Sequence, residues 1–164
     1  MRKIGLLSDT HSYWDDRYKQ YFSSCDEIWH AGDIGNLELL NRLEQIAPVR
    51  AVYGNIDGQP LRLTCPETLR FRCEKVEVML THIGGYPGKY APGISQKLKE
   101  NQPNLFICGH SHILKVQYDQ RLNLLFVNPG AAGNFGFHVV RTLIRFVIDG
   151  ENIKDMEIIE LGSR

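Results

Sequence analysis

The chain has 164 residues, 43% of them hydrophobic and 23% charged, proportions that exclude a disordered or fibrous protein. Nineteen basic side chains balance nineteen acidic ones, and no basic block is present, which argues against electrostatic capture of nucleic acid or an anionic membrane. No apolar run approaches the roughly 18 residues of a membrane span, and the stretch after Met1-Arg2-Lys3 meets Asp9 too soon for a secretory signal.

In chain order, Lys3–Ser8 reads as a strand and Asp15–Ser24 as a helix. Glu27–His30 is again strand-like. Leu37–Ile46 places apolar residues at 37, 39, 40, 43 and 46, close to helical spacing, with Asn36 as its cap. Val49–Tyr53 is a third short strand. Strands separated by helix-length segments predict βαβ units on a buried, mainly parallel sheet. Beyond them, Thr68–Thr81 and Leu114–Val127 each read as two extended runs about a polar turn, at Glu74-Lys75 and Asp119-Gln120. Ala91–Asn101 is the one helix expected between them, and Asn104–Cys108 is a buried strand. Val139–Ile148 and Ile153–Leu161 flank Asp149-Gly150 as a closing hairpin. The pattern predicts one domain, 1–164, with two sheets packed face to face and helices outside. Four cysteines without CxxC spacing (Cys25, Cys65, Cys73, Cys108) read as small buried thiols in a reducing cytoplasm.

The chemistry-bearing residues stand just after the strand-like runs. Asp9-Thr10-His11 follows the first, Gly32-Asp33 the second and Gly54-Asn55-Ile56-Asp57 the third. Thr81-His82 and Gly109-His110-Ser111-His112 end two later ones. Ligand sites of open α/β sheets form outside the carboxyl ends of strands, so these groups are expected to converge. Each motif alone reads as an ordinary turn; all five at strand ends is a different matter. Imidazoles with carboxylates suit transition metals rather than calcium, and eight such donors exceed the needs of one ion. Two ions about 3.5–4 Å apart, sharing a carboxylate, would use them.

These motifs resemble the pattern of the calcineurin-like metallophosphoesterases, D-x-H, G-D, G-N-x-[DE], H and G-H-x-H, and within them the small YfcE-type phosphodiesterases. Asn128-Pro129-Gly130 resembles the family's loop after the last site strand. The resemblance implies a four-layer α/β/β/α sandwich of two mixed sheets. It implies Asp9, His11 and His112 at a first metal, Asp33 bridging, and Asn55, His82 and His110 at a second. Asn55 and His110 are also the candidates to meet the substrate phosphoryl group, and Asp57 the candidate to orient the loop. The metals implied are two divalent transition ions, manganese first, with nickel, iron, zinc or cobalt as alternatives.

The function expected is hydrolysis of a small-molecule phosphodiester by a hydroxide bridging the two metals. The alternatives are a non-catalytic binding scaffold like a retromer subunit of the same fold, or a phosphomonoesterase or short-oligonucleotide nuclease. No membrane partner is expected, and a homo-oligomer is left open. Ile56 departs from the pattern of the larger phosphatases, whose histidine there resembles a general acid; isoleucine carries no transferable proton. His30 reads as a packing or supporting residue, and His138, outside every motif, as structural or surface. Tyr13 and Trp14 read equally as pocket wall or core, and Gly84-Gly85-Tyr86-Pro87-Gly88 equally as a flexible loop bordering the substrate or a plain turn cluster.

Overall fold

The computed structural model describes residues 1–164. Its first half runs β1 (Arg2–Leu7), α1 (Asp16–Phe22), β2 (Glu27–His30), α2 (Leu37–Glu44), β3 (Val49–Ala51) and α3 (Gln59–Thr64). The hairpin β4 (Thr68–Cys73) and β5 (Val76–Thr81) follows, then the short strands β6 (Gly85–Tyr86) and β7 (Lys89–Tyr90) and helix α4 (Ile94–Glu100). The chain closes with β8 (Leu105–Ile107), β9 (Leu114–Asp119), β10 (Leu124–Pro129), β11 (Val140–Asp149) and β12 (Asn152–Ser163). One sheet has the order β12-β11-β1-β2-β3 and the other β4-β5-β8-β10-β9.

The period-two alternation of the strands sets the layers. In β1, Ile4 and Leu6 point into the apolar layer between the sheets, where they join Trp29, Val78, Leu80, Ile107 and Phe146. Leu7 points the other way, into a layer with Tyr18 and Phe22 of α1 and Leu39, Leu40 and Leu43 of α2. On the far sheet, Met79 and Phe106 alternate outward and pack against Ile94 and Leu98 of α4. Three apolar layers therefore separate four layers of structure, and the fold is an α/β/β/α sandwich of two mixed sheets. The helices start where the sequence places caps: Asp15 accepts the amide of Arg17, and Asn36 that of Leu39.

β1, β2 and β3 are parallel to one another, as are β5, β8 and β10. Their carboxyl ends deliver the five motifs of the sequence to one end of the sandwich. The closing hairpin lies antiparallel on the free edge of β1, with Leu6 opposite Ile144. Two elements depart from the expectation. Gln59–Thr64 forms a helix where none was predicted, and the Gly84–Gly88 turn cluster sits within a small antiparallel ribbon, Gly85 opposite Tyr90. No helix is long and apolar enough to cross a membrane.

Candidate metal centre

Five of the candidate ligands adopt left-handed backbone: Asp9 (φ 55°), His11 (46°), Asp33 (55°), His110 (72°) and His112 (60°). Such conformations are uncommon for residues with a side chain and concentrate at functional sites. They turn the chain sharply at each strand end and aim the side chains across the sandwich. Gly54 allows the loops to meet, since a Cβ there would collide with the Asp33 carboxylate.

The carboxylates are used asymmetrically. Asp9 Oδ2 accepts the Ser8 hydroxyl at 2.6 Å and the His110 amide at 3.1 Å, leaving Oδ1 facing His112 Nε2 at 3.1 Å. Asp33 Oδ1 accepts the Ile56 amide at 3.0 Å, leaving Oδ2 3.2 Å from His82 Nε2 and 3.4 Å from His11 Nε2. Each aspartate thus satisfies one oxygen within the protein and presents the other to imidazole nitrogens.

The histidines are oriented in the same manner. A carbonyl oxygen only accepts, so His82 Nδ1 donates to Ala31 O at 2.7 Å, and neutral His82 presents the lone pair of Nε2. That nitrogen lies 3.0 Å from Asn55 Oδ1, which also stands 3.0 Å from His110 Nδ1. On the other side, His138 Nε2 donates to Gly133 O at 2.8 Å, so neutral His138 offers Nδ1 as acceptor to His112 Nδ1 at 3.2 Å. His112 then presents Nε2 toward Asp9. The partner on the far ring nitrogen fixes which nitrogen is free, as at metal sites generally.

Two groups of ligand-type atoms result, Asp9 with His11 and His112, and Asp33 with His82 and His110, each lying within 4.8 Å. They fit metal ions. His11 Nε2 is buried and has no hydrogen-bond partner, an orphaned donor atom among oxygens placed as neighbours rather than bonded partners. The mixed nitrogen and oxygen set suits divalent transition metals. Electrostatics agree. Burial opposes ionisation of Asp9 and Asp33, but His11 with His112 outweighs it at Asp9, and His11 with His82 at Asp33. Both carboxylates are held well below the usual range. The Asp33 and Asp9 carboxylates beside His11 push its imidazole up to about 9. Two ionised carboxylates with imidazole nitrogens in a largely buried hole are a cation's complement.

Supporting residues tie the loops together. Asp57 is 2% exposed, and its carboxylate accepts three amides: Ile34 at 3.1 Å, Gly35 at 2.8 Å and Gly54 at 2.8 Å. His30 is fully buried, which pushes its pKa down; its Nδ1 accepts the Gly32 amide at 3.0 Å. Nε2 then carries the proton and faces Thr10 Oγ1 at 3.0 Å, which donates to Ile34 O. Asn128 donates to Gly109 O and Ser111 Oγ, both at 3.1 Å, and so steadies the loop of His110 and His112.

Two contributors escaped the sequence reading. His138 touches His112 directly, although nothing marks it in the chain. Arg62 of α3 donates to Asp57 O at 2.6 Å, and its guanidinium lies 4.5 Å over the Tyr53 ring, bracing the Asn55 loop. Trp14 packs on Tyr18 beneath Arg42, and Tyr13 lies beneath Arg141, so neither is among the groups that converge on the ligand atoms. Burial pushes the Cys108 thiol up to about 12, leaving it protonated and inert.

Comparisons with known proteins give the family and the fold. A probable metallophosphoesterase of Methanothermobacter thermautotrophicus is 30% identical over 169 aligned positions, covering 98% of this chain and 93% of its own length. The fold matches that of an archaeal phosphodiesterase with a TM-score of 0.75 at 21% identity, covering 97% and 99% of the two chains. It matches equally well Vps29 of Entamoeba histolytica solved with Zn2+, with a TM-score of 0.75 at 16% identity and coverage of 96% and 98%. The model of the calcineurin-like phosphoesterase superfamily domain matches residues 2–151. With its motifs at five strand ends, the chain belongs to the calcineurin-like phosphoesterase superfamily.

Proposed function

We propose that the protein is a phosphodiesterase working with two divalent metal ions. Asp9, His11 and His112 would hold one ion, and His82, His110 and Asn55 the other, with Asp33 shared. One observation carries this reading: the single oxygen Asp33 Oδ2 lies within 3.4 Å of a nitrogen from each group, His11 and His82. An oxygen so placed would serve two ions at once. The chemistry supplied by the ions, when bound, is Lewis acidity, which neutralises phosphoryl charge and makes water a competent nucleophile near neutral pH.

The chain's own residues do the rest. Asn55 and His110 are the two exposed members of the set, so they meet the substrate at the mouth of the site. The Asn55 carboxamide nitrogen and the His110 ring are the groups that reach a phosphoryl oxygen. The buried aspartates stay with the ions. Ile56, exposed beside Asn55, gives no proton to a departing alcohol. The reading includes manganese as the working metal and a cytoplasmic setting, which four free buried thiols suit.

The fold likeness to Vps29 favours a second reading, a binding scaffold. The complete donor set favours catalysis over it. Protein reconstituted with manganese, nickel, iron or zinc is assayed with bis(4-nitrophenyl) phosphate and with 4-nitrophenyl phosphate. Metal-dependent turnover, faster on the diester, is the expected result. Inactivity across all metals and esters, together with a partner retained after Asp9, His11 and His112 are replaced, would establish the scaffold instead.

A further inference from the structure

Three of the ligand-type residues are followed in the chain by an isoleucine that faces solvent. Ile56 follows Asn55, Ile83 follows His82 and Ile113 follows His112, with 46%, 45% and 65% of their surfaces exposed. Phe135 stands over the His11 ring, the centroids 5.1 Å apart, and is itself largely exposed. Ligand sites combine a few polar groups with apolar side chains that meet the apolar part of the ligand.

Next to Ile113 opens a cavity of about 380 Å³, within the usual range of small-molecule sites. It is lined by Tyr86, Ile113 and the fully buried Phe126, and its one charged side chain is Lys115. The Lys115 ammonium stands 5.4 Å from the centre of the Tyr86 ring. Ser111 also lines the cavity and sits in the chain between His110 and His112, so the cavity and the metal centre share one loop. Two of its polar side chains, Ser111 and Asn128, are tied to the surrounding loops. Ser111 Oγ receives both the Ile113 amide and Asn128 Nδ2, while Asn128 Oδ1 accepts the Gly130 amide.

On the basis of the phosphodiesterase reading above, we propose that this cavity is the subsite for one organic arm of the substrate, and that this arm is apolar, an aryl or branched alkyl ester. A sugar or nucleoside would bring several hydroxyls to a wall made chiefly of the Tyr86, Ile113 and Phe126 side chains. An aromatic ring would instead lie between Tyr86 and Ile113, with the Lys115 cation at its face. The phosphoryl group of such a diester reaches the metal centre across Ser111, and the second arm leaves over Ile56 and Ile83.

Binding is measured by calorimetry on the manganese-loaded protein with two anions that cannot be hydrolysed, dimethylphosphinate and methyl(phenyl)phosphinate. The phenyl compound is expected to bind about tenfold more tightly, the gain from burying roughly half of a phenyl ring. Ile113→Ser and Tyr86→Ser are expected to erase that preference while leaving dimethylphosphinate binding unchanged. Leu63→Ser, at an exposed position of α3 outside this cavity, keeps both affinities. Both cavity residues are exposed enough for serine to leave the fold intact, and either variant alone tests the claim. Equal affinity of the parent for the two phosphinates overturns the proposal, as does a phenyl preference that survives both cavity variants. Bis(4-nitrophenyl) phosphate turnover on the same samples separates the two readings. Turnover with no phenyl preference defeats the subsite alone, and absence of turnover defeats the phosphodiesterase assignment.

Discussion

Replacing Asp57 tests how far the loops depend on one carboxylate. The side chain accepts three main-chain amides from two different loops and is almost wholly buried. A hydrogen bond to a charged acceptor contributes about 1.5–3 kcal/mol, and a buried donor left unpaired costs about 1–3 kcal/mol. The Ile34 and Gly54 amides take the low end, about 1.5 kcal/mol each. The Gly35 amide is part-exposed and recovers water, so about 1 kcal/mol is assigned to it. Asp57→Ala should then cost about 4 kcal/mol, a large share of the roughly 5–15 kcal/mol that stabilises a domain. Asp57→Asn keeps the shape and one acceptor oxygen. With that oxygen in the Oδ2 position it loses the Gly35 bond and the charge, for about 2 kcal/mol.

Urea unfolding of the metal-free protein measures both changes. Metal titration of the surviving folded protein measures the second consequence. Asp33 follows directly on the Gly32 turn, and Asn55 directly on Gly54, so loosening their loops should weaken metal affinity by roughly 10- to 100-fold. If both variants stayed within about 0.5 kcal/mol of the parent, the ordinary range for a surface change, the three bonds would not clamp the loops.

Other expected outcomes use different handles. Asp33→Ala should damage turnover more than any other ligand change, because one oxygen serves both groups; kcat/KM for bis(4-nitrophenyl) phosphate across the ligand series checks this. His138→Ala, at a residue the sequence alone reads as structural or surface, should lower metal affinity about 10- to 100-fold by freeing the far nitrogen of His112, and unchanged affinity by titration would refute the orienting role. With Ile56 unable to donate a proton, kcat/KM should fall steeply as the leaving-group pKa rises across aryl and alkyl phosphodiesters, and Ile56→His should flatten that slope. Burial opposes ionisation of Asp15, but Arg17 and Arg141 outweigh it and hold the carboxyl at about 2. Because its folded pKa is the lower one, its stabilising contribution is present above about pH 4 and is lost as pH falls to about 2. Asp15→Asn should remove that part of the acid dependence, read from urea midpoints at pH 5 and pH 2.

Local signals in the sequence reached far where chemistry and structure coincide. The strand ends were legible because four- to six-residue apolar runs stop at a Gly-Asp, Gly-Asn or histidine motif. The hairpin β4–β5 was legible because Glu74-Lys75 interrupts two β-rich runs of equal length. Helix α3 was not legible: six residues, one of them Pro60, bury only Leu61, so no period could form. The two-residue strands β6 and β7 lie below any periodic signal, and there Gly85 and Gly88 show only the turn. His138 was invisible for another reason. Its contact with His112 spans 26 residues and arises because β11 returns to the edge of β1, a pairing that no local pattern encodes. Arg62 shares that fate, since its partner is the backbone of the Asn55 loop rather than a carboxylate.

Metal removal tests whether the loops exist for the ions. Five ligand residues in left-handed backbone carry strain of order 1–3 kcal/mol each in the unfavourable cases, and Asp57, His30, Asn128 and His138 hold the loops against it. A site so constrained would bind ions in the folded state alone, and each bound ion would then add RT ln(1 + [L]/Kd) to stability. Once both sites are saturated, a tenfold rise in free metal should add about 1.4 kcal/mol for every ion bound. Two ions give a slope of about 2.8 kcal/mol per decade, and one ion half of that. For a chain of this size each kcal/mol moves Tm by roughly 2–4 °C. Thermal unfolding across free manganese from micromolar to millimolar, with chelator as baseline, therefore counts ions without reference to turnover. The expected slope is the larger one, and both Asp33→Ala and His82→Ala should reduce it. A parent slope that levels at about 1.4 kcal/mol per decade, matched by one ion per chain in elemental analysis, would leave Asp33 serving a single metal and defeat the shared site.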